Sequence, residues 1–223
     1  MKLTQYLSAA AGALALLVLS GCATTIGRKS DPDPVAYRPK NQSNVRIKVS
    51  LSKQQVYVME GNRPLLVAAT CVGTTAKPTP KGNFRVYKRV ADKRSYSYGY
   101  WVKGNVVRAG ESRKSPGGGY RYVGYPMQYW VEFSPAYGFH QGYVWPTPRT
   151  HGCLRLHKNV AHKFFELAKL GTPINIANTQ PEDATIGANV PRPADFNDPD
   201  PDPSFMISSA VFTKPAGSVL VEQ

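Results

Sequence analysis

Apart from its apolar leader, only one stretch of this chain carries a clear helical pattern. Val160, Phe164, Leu167, Ala168 and Leu170 fall on one stripe of a 3.6-residue helix. Asn159 precedes that stripe as an N-cap, Gly171 takes the C′ position and Pro173 lies just beyond. The remaining patterned stretches read as strands. Val45, Ile47, Val49 and Leu51 alternate with Arg46, Lys48 and Ser50, as in a half-buried strand. Residues 55–59, 65–72, 84–90, 127–133 and 136–140 continue as strands, Glu60-Gly61-Asn62 is a turn, and residues 174–177 close the domain. Thirteen tyrosines against three tryptophans also favour strand. The expected fold is mainly β with one principal helix, spanning residues 45–177.

Chemistry concentrates in Arg149-Thr150-His151-Gly152-Cys153-Leu154-Arg155-Leu156. In extended backbone His151 and Cys153 would point to one side, because strand side chains alternate with period two. Gly152, lacking a side chain, would let a substrate carbonyl approach the backbone N–H groups. A second histidine, His140, lies upstream in Phe139-His140-Gln141-Gly142-Tyr143. A thiol and two imidazoles suffice for acyl transfer through a thioester. A neighbouring imidazolium lowers a thiol from about 8.5 to about 3.5–7.5, which makes the thiolate available. The backbone N–H groups of Gly152 and Cys153 are the expected oxyanion donors, and Arg155 has the planar fork that fits a carboxylate. Of the other two cysteines, Cys71 sits in an apolar run and reads as a small buried thiol.

The flanks differ from the body. Residues 1–21 read as an export signal: Lys2 supplies the positive end, and the apolar run 7–19 is too short for a membrane-spanning helix, which needs about 20 residues. The run ends Leu19-Ser20-Gly21-Cys22, which resembles the lipobox of bacterial lipoproteins and implies a lipid anchor on Cys22. Residues 22–44, with Asp31-Pro32-Asp33-Pro34, read as an extended tether. Residues 178–223 hold seven acids against two bases and the run Asn197-Asp198-Pro199-Asp200-Pro201-Asp202-Pro203, which reads as a tail unable to pack a core. The chain as a whole carries +14, so the body is basic and suits an anionic partner. Export argues against nucleic acid as that partner. Residues 92–126, dense in Tyr, Gly, Arg and Lys, read as a pair of twisted strands beside the site, with a mobile tip at Ser115-Pro116-Gly117-Gly118-Gly119.

Taken in order, residues 49–58, Thr79-Pro80-Lys81-Gly82-Asn83-Phe84, Pro126-Met127-Gln128-Tyr129-Trp130, His140 with Gly142, Thr150-His151-Gly152-Cys153-Leu154-Arg155-Leu156 and Gly171-Thr172-Pro173-Ile174-Asn175-Ile176 resemble the YkuD-type L,D-transpeptidase family. In this chain Gln141 separates His140 from Gly142, where the commonest form has His-Gly directly. The resemblance implies a β-sandwich or barrel-like catalytic domain acting on peptidoglycan stem peptides. It implies that Cys153 attacks the carbonyl of the third stem residue, releases the terminal D-alanine, and passes the acyl group to an amine of a neighbouring stem or of an envelope protein. By the same resemblance His140 is the general base and His151 shapes the site or assists proton transfer. Thr150, Gly142, Tyr143 and Arg155 would contact substrate, and no cofactor or metal takes part. The expected location is the periplasmic side of the cell envelope, at the outer membrane in a Gram-negative cell.

Three other readings compete. Zinc binding by His140, His151, Cys153, His157 and His162 suits the number of ligands but not their spacing, and His157 and His162 read instead as solvated surface histidines. The same thioester released by water would make a hydrolase, and a domain that kept the fold without the chemistry would be a wall-binding lipoprotein.

Overall fold

A computed structural model describes residues 31–214 and 216–223; the expected signal segment and Cys22 lie outside them. The first strands form an antiparallel meander, β1 (Val45–Ser50), β2 (Gln55–Glu60) and β3 (Arg63–Cys71). Val45, Ile47 and Val49 face the core while Arg46 faces solvent, so the alternation in the sequence sets the pairing face. Gly61 takes the left-handed φ of +57° that the β2–β3 turn requires. After a loop come β4 (Gly82–Arg85) and β5 (Lys88–Val90), then a separate hairpin of β6 (Arg94–Lys103) and β7 (Val106–Glu111), and β8 (Arg121–Pro126). The chain returns through β9 (Trp130–Ser134) and β10 (Tyr137–Gln141), and the motif leads into the short β11 (Leu154–Leu156). Helix α1 (Lys158–Leu167), β12 (Pro173–Ala177) and the small helix α2 (Pro203–Ile207) complete the order.

Nine of these strands form one sheet in the order β4-β12-β1-β2-β3-β11-β10-β9-β5, and β7-β6-β8 form a second. Strands β1 and β12 pair in parallel, as do β10 and β11, and α1 provides the crossover between β11 and β12. The helix lays Val160, Ala161, Phe164 and Leu167 on the sheet, with Phe164 against Phe139 at 4.5 Å between ring centroids. Each fully buried side chain of this size contributes about 1.5–3 kcal/mol. The helix differs from expectation at both ends. His157, not Asn159, is the N-cap, its Nδ1 accepting from the Asn159 N–H at 3.2 Å. The helix closes at Leu167, so Leu170 falls beyond it and is exposed.

The flanks also depart from expectation. Residues 31–44 lie on the domain rather than standing away from it: Ala36 is buried, Tyr37 donates its N–H to Leu65 O at 2.9 Å, and Lys163 pairs with Asp33. The proline-rich C-terminal segment also packs, through polar anchors that hydropathy does not reveal. Arg192 donates to Lys53 O, Gln54 O, Thr70 O and Trp145 O, and Met206 is buried. Asp195 is buried, and its Oδ1 accepts the Val144 N–H at 3.1 Å. Residues 205–212 form the end of α2 and a 3-10 turn.

Residues 92–126 form three strands rather than a pair. Arg94 at the start of β6 donates to Gly124 O at 2.9 Å, Met206 O at 2.9 Å and Ser208 O at 2.7 Å, and its guanidinium lies over the Phe212 ring. The C-terminal segment therefore braces the start of β6, and residues of β6 and β8 line a cleft.

Candidate active site

The motif becomes a strand only at Leu154; the residues before it form a tight turn tied to β3. Thr150 donates its N–H to Val72 O at 3.0 Å, and Thr74 returns a bond to Thr150 O at 3.0 Å. The buried Thr150 hydroxyl donates to Cys153 O at 2.6 Å and accepts the Gly152 N–H at 3.1 Å. Thr150 thus shapes the turn. Gly152 sits at φ +106°, where a Cβ would meet Tyr137 Cε1 at 2.4 Å and Pro78 O at 3.0 Å. The space beside Gly152 that the sequence reserves for a substrate carbonyl is filled by the Tyr137 ring. With the Gly152 N–H already bonded to Thr150, the Cys153 N–H is the remaining one of the two expected oxyanion donors.

Cys153 is half-buried in a cleft of about 620 Å³, whose lining also includes His140, His151 and Arg155. Its Sγ lies 3.7 Å from Ala136 O, to which the S–H donates. Burial pushes the thiol up, although a bond from the Gly138 backbone and the Arg155 charge act in the other direction. His140 is buried, with 5% of its surface exposed, and pairs in register with Arg155 of β11. Cys153, just before β11, lines the same cleft as both. His140 Nδ1 lies 2.7 Å from Gln141 O. A carbonyl only accepts, so Nδ1 carries the proton and Nε2 keeps a free lone pair. Burial, helped by Arg155, pushes this imidazole down to about 4. At neutral pH the resting pair is therefore thiol and neutral imidazole, not the thiolate and imidazolium expected from the motif. His151 is exposed at the rim, its ring 4.9 Å from that of Tyr98 on β6.

The cleft is strongly cationic. Lys77, Lys88, Lys93, Arg149 and Arg155 line it against the single carboxylate Glu132. Arg155 is half-buried and forms no ion pair with any described residue. Lys93, pulled down by burial, donates to Arg94 O at 2.8 Å and lies 3.7 Å over the Tyr96 ring. Ser95, Tyr96, Ser97 and Tyr98 of β6, with Tyr125 of β8, make the facing wall.

Two expected contacts are not brought to the cleft. The Tyr143 hydroxyl donates to Pro199 O at 3.1 Å, which ties it to the C-terminal segment. Gly142 donates its N–H to Leu156 O, and a Cβ there would press on the Arg155 stem at 3.1 Å, so it makes room for Arg155. Sequence reasoning missed Lys93, Trp130, Glu132 and Ala136. The signal available for Glu132 was the alternation Trp130, Glu132, Ser134 on one face of β9. His157 and His162 are not surface histidines: His157 is 2% exposed and His162 stacks on Tyr129 at 4.7 Å. Among the described residues no group of three His, Cys, Asp or Glu side chains is arranged to hold a metal ion. Cys71 and Cys153 are both free thiols.

The model of the YkuD family, the L,D-transpeptidase catalytic domain, matches residues 44–176, more than half of the chain. No curated protein matches it. Among solved structures, an L,D-transpeptidase (Yku) from Stackebrandtia nassauensis is 17% identical with a TM-score of 0.46, covering 66% of this chain and 60% of that one. The Enterococcus faecium L,D-transpeptidase C442S mutant is 21% identical with a TM-score of 0.44, over 60% of this chain and 50% of that one. Mycobacterium tuberculosis L,D-transpeptidase 1 is 19% identical with a TM-score of 0.42, over 59% and 60%. The chain thus spans about six-tenths or less of these solved chains. With the family model running from the residue before β1 almost to the end of β12, the chain belongs to the YkuD family of L,D-transpeptidase catalytic domains.

Proposed function

We propose that this chain is a cysteine L,D-transpeptidase of the cell envelope, with Cys153 as nucleophile and His140 as general base. One observation carries the reading: Cys153 and a buried His140, its Nδ1 bonded to the backbone, line one cationic cleft. The donor substrate is a tetrapeptide stem, whose carboxylates suit Arg155 and the surrounding lysines. As Sγ attacks the carbonyl of the third stem residue, its proton passes to His140 Nε2. The C–N bond to the terminal D-alanine breaks, and the leaving amine takes that proton. The acyl group then rests on Cys153 as a thioester. An incoming amine attacks the thioester, gives its proton to Nε2, and restores the thiol. One amide replaces another, so the exchange needs no external energy source. The Cys153 N–H holds the oxyanion, and losing such a donor costs about 2.7–4 kcal/mol of barrier. His151, its ring tilted against that of Tyr98, shapes the rim where substrate enters.

The apolar leader and the lipobox-like stretch ending at Cys22 support a location on the periplasmic side of a membrane, through a lipid anchor. The acceptor is an amine of a neighbouring stem or of an envelope protein. Incubating the chain with muropeptides and weighing the products tests the whole reading. Cross-linked dimers and a thioester on Cys153 are expected. Shortened stems without dimers would make it a hydrolase, and unchanged substrate would leave a wall-binding lipoprotein.

A further inference from the structure

The turn between β9 and β10 carries a carboxylate for which the proposed acyl transfer has no use. Glu132 lines the cleft, and its Oε1 accepts the Ala136 N–H at 3.3 Å. Its Oε2 accepts Trp130 Nε1–H at 3.1 Å, and the Tyr87 hydroxyl also donates to it. Burial alone would push this carboxyl up, but those donors and the Lys88 ammonium outweigh it and hold it below the usual range. Glu132 is an anion at neutral pH.

Ala136 is a non-glycine residue held at φ +66°, a conformation that survives where surrounding contacts enforce it. Its carbonyl is the acceptor of the Cys153 S–H at 3.7 Å. The next residue, Tyr137, fills the space beside Gly152. One turn therefore touches both the reacting sulfur and the residue before it, and a single carboxylate holds that turn by its N–H. We infer that Glu132 is a positioning residue for the nucleophile: it fixes Ala136 in the left-handed conformation, and the Ala136 carbonyl in turn aims the Cys153 thiol.

This inference rests on Cys153 being the nucleophile proposed above. The charges that act on the sulfur are those of Arg155, Lys93 and Glu132 itself. Removing the Glu132 charge raises the thiolate fraction, while removing its acceptor oxygen frees the turn. The two effects separate in two variants of the full chain. D-Alanine release from a tetrapeptide stem gives kcat and KM, and iodoacetamide at pH 7, followed on the Cys153 peptide by mass, gives thiol reactivity.

Glu132→Ala is expected to lower kcat about tenfold or more with KM changed less than about twofold, while Cys153 alkylates faster. Glu132→Gln keeps one carbonyl, which serves the Ala136 N–H only by turning its NH2 towards the Trp130 N–H, so kcat recovers in part, above that of Glu132→Ala, and alkylation is again faster. A merely loosened structure would slow both reactions and raise KM. An unchanged kcat in Glu132→Ala, an equal loss in Glu132→Gln, or alkylation rates unmoved in both variants overturns the inference. If the alanine variant fails to fold, Glu132→Asp carries the test. It keeps the charge but withdraws the carboxylate from Ala136 by one methylene, so kcat should fall with alkylation unchanged, and a retained kcat overturns the inference. A parent chain that forms no Cys153 thioester defeats the enzymatic reading and this inference together. A parent that turns over beside an unresponsive Glu132 series defeats this inference alone.

Discussion

His140 and His157 are both buried beside the three-residue strand β11, and their neighbours make them opposites. His140 faces a guanidinium, pairs with no carboxylate among the described residues, and holds its proton on Nδ1 against Gln141 O. His157 uses Nδ1 to cap α1, while Nε2 faces Asp31 Oδ2 at 3.5 Å and Asp195 Oδ2 at 3.8 Å. Burial holds both imidazoles below their usual value, and at His157 the two carboxylates pull the other way. One ring, its proton held on Nδ1, lines the same cleft as a thiol. The other fastens the segment before β1 and the segment after β12 to the start of the helix. Burial alone does not tell a base from a clasp; the charge of the nearest neighbour does.

The largest expected effect separates the two rings outright. His140→Ala should cut D-alanine release by about 10²–10⁴-fold, the usual contribution of a positioned base, whereas His157→Ala should leave turnover within a few-fold at temperatures where the chain stays folded. Equal losses in a steady-state assay would break the contrast. Next in size is the pH response. With His140 at about 4, kcat/KM should keep its acid limb near that pH, far below the limb near 6.5 of an ordinary imidazole. The sign for stability follows from the same depression. The folded ring binds its proton less readily than the unfolded one, so the contribution of His140 is complete above about pH 6.5 and is lost as pH falls towards about 4. Urea midpoints measured across that window check it. His157→Ala should cost about 1–2 kcal/mol through the lost helix cap, read from urea unfolding at pH 7. The smallest effect is that of Asp195→Asn, which keeps an oxygen for the Val144 N–H but removes the charge facing His157. It should cost about 0.5–1.5 kcal/mol and flatten the pH dependence of the urea midpoint.

Much of this could be read before folding. The alternation through Val45, Ile47 and Val49 gave β1, because one face of that strand is buried and the other is wet. The stripe of Val160, Phe164 and Leu167 gave α1 for the same reason. His151 and Cys153 stood out because an imidazole and a thiol flank one glycine, and His140 through the family resemblance; the structure brings all three to one cleft. What escaped was set by distant partners. His157 looked solvent-exposed because the residues that bury it, Asp31 and Asp195, lie far away in sequence at the two flanks. Glu132 looked like an ordinary charge on a strand until Ala136 N–H and Trp130 Nε1 converged on it. The proline- and aspartate-rich segment looked unable to pack because its anchors are backbone carbonyls gripped by Arg94 and Arg192, which carry no hydropathy signal.

The grip on Arg94 also sets an order of events. A chain is made from its N-terminal side, so the motif around Cys153 is complete well before Met206 and Ser208. Until those two carbonyls arrive, Arg94 keeps only its bond to Gly124 at the start of β6. The last residues of the chain therefore finish a wall that its middle begins.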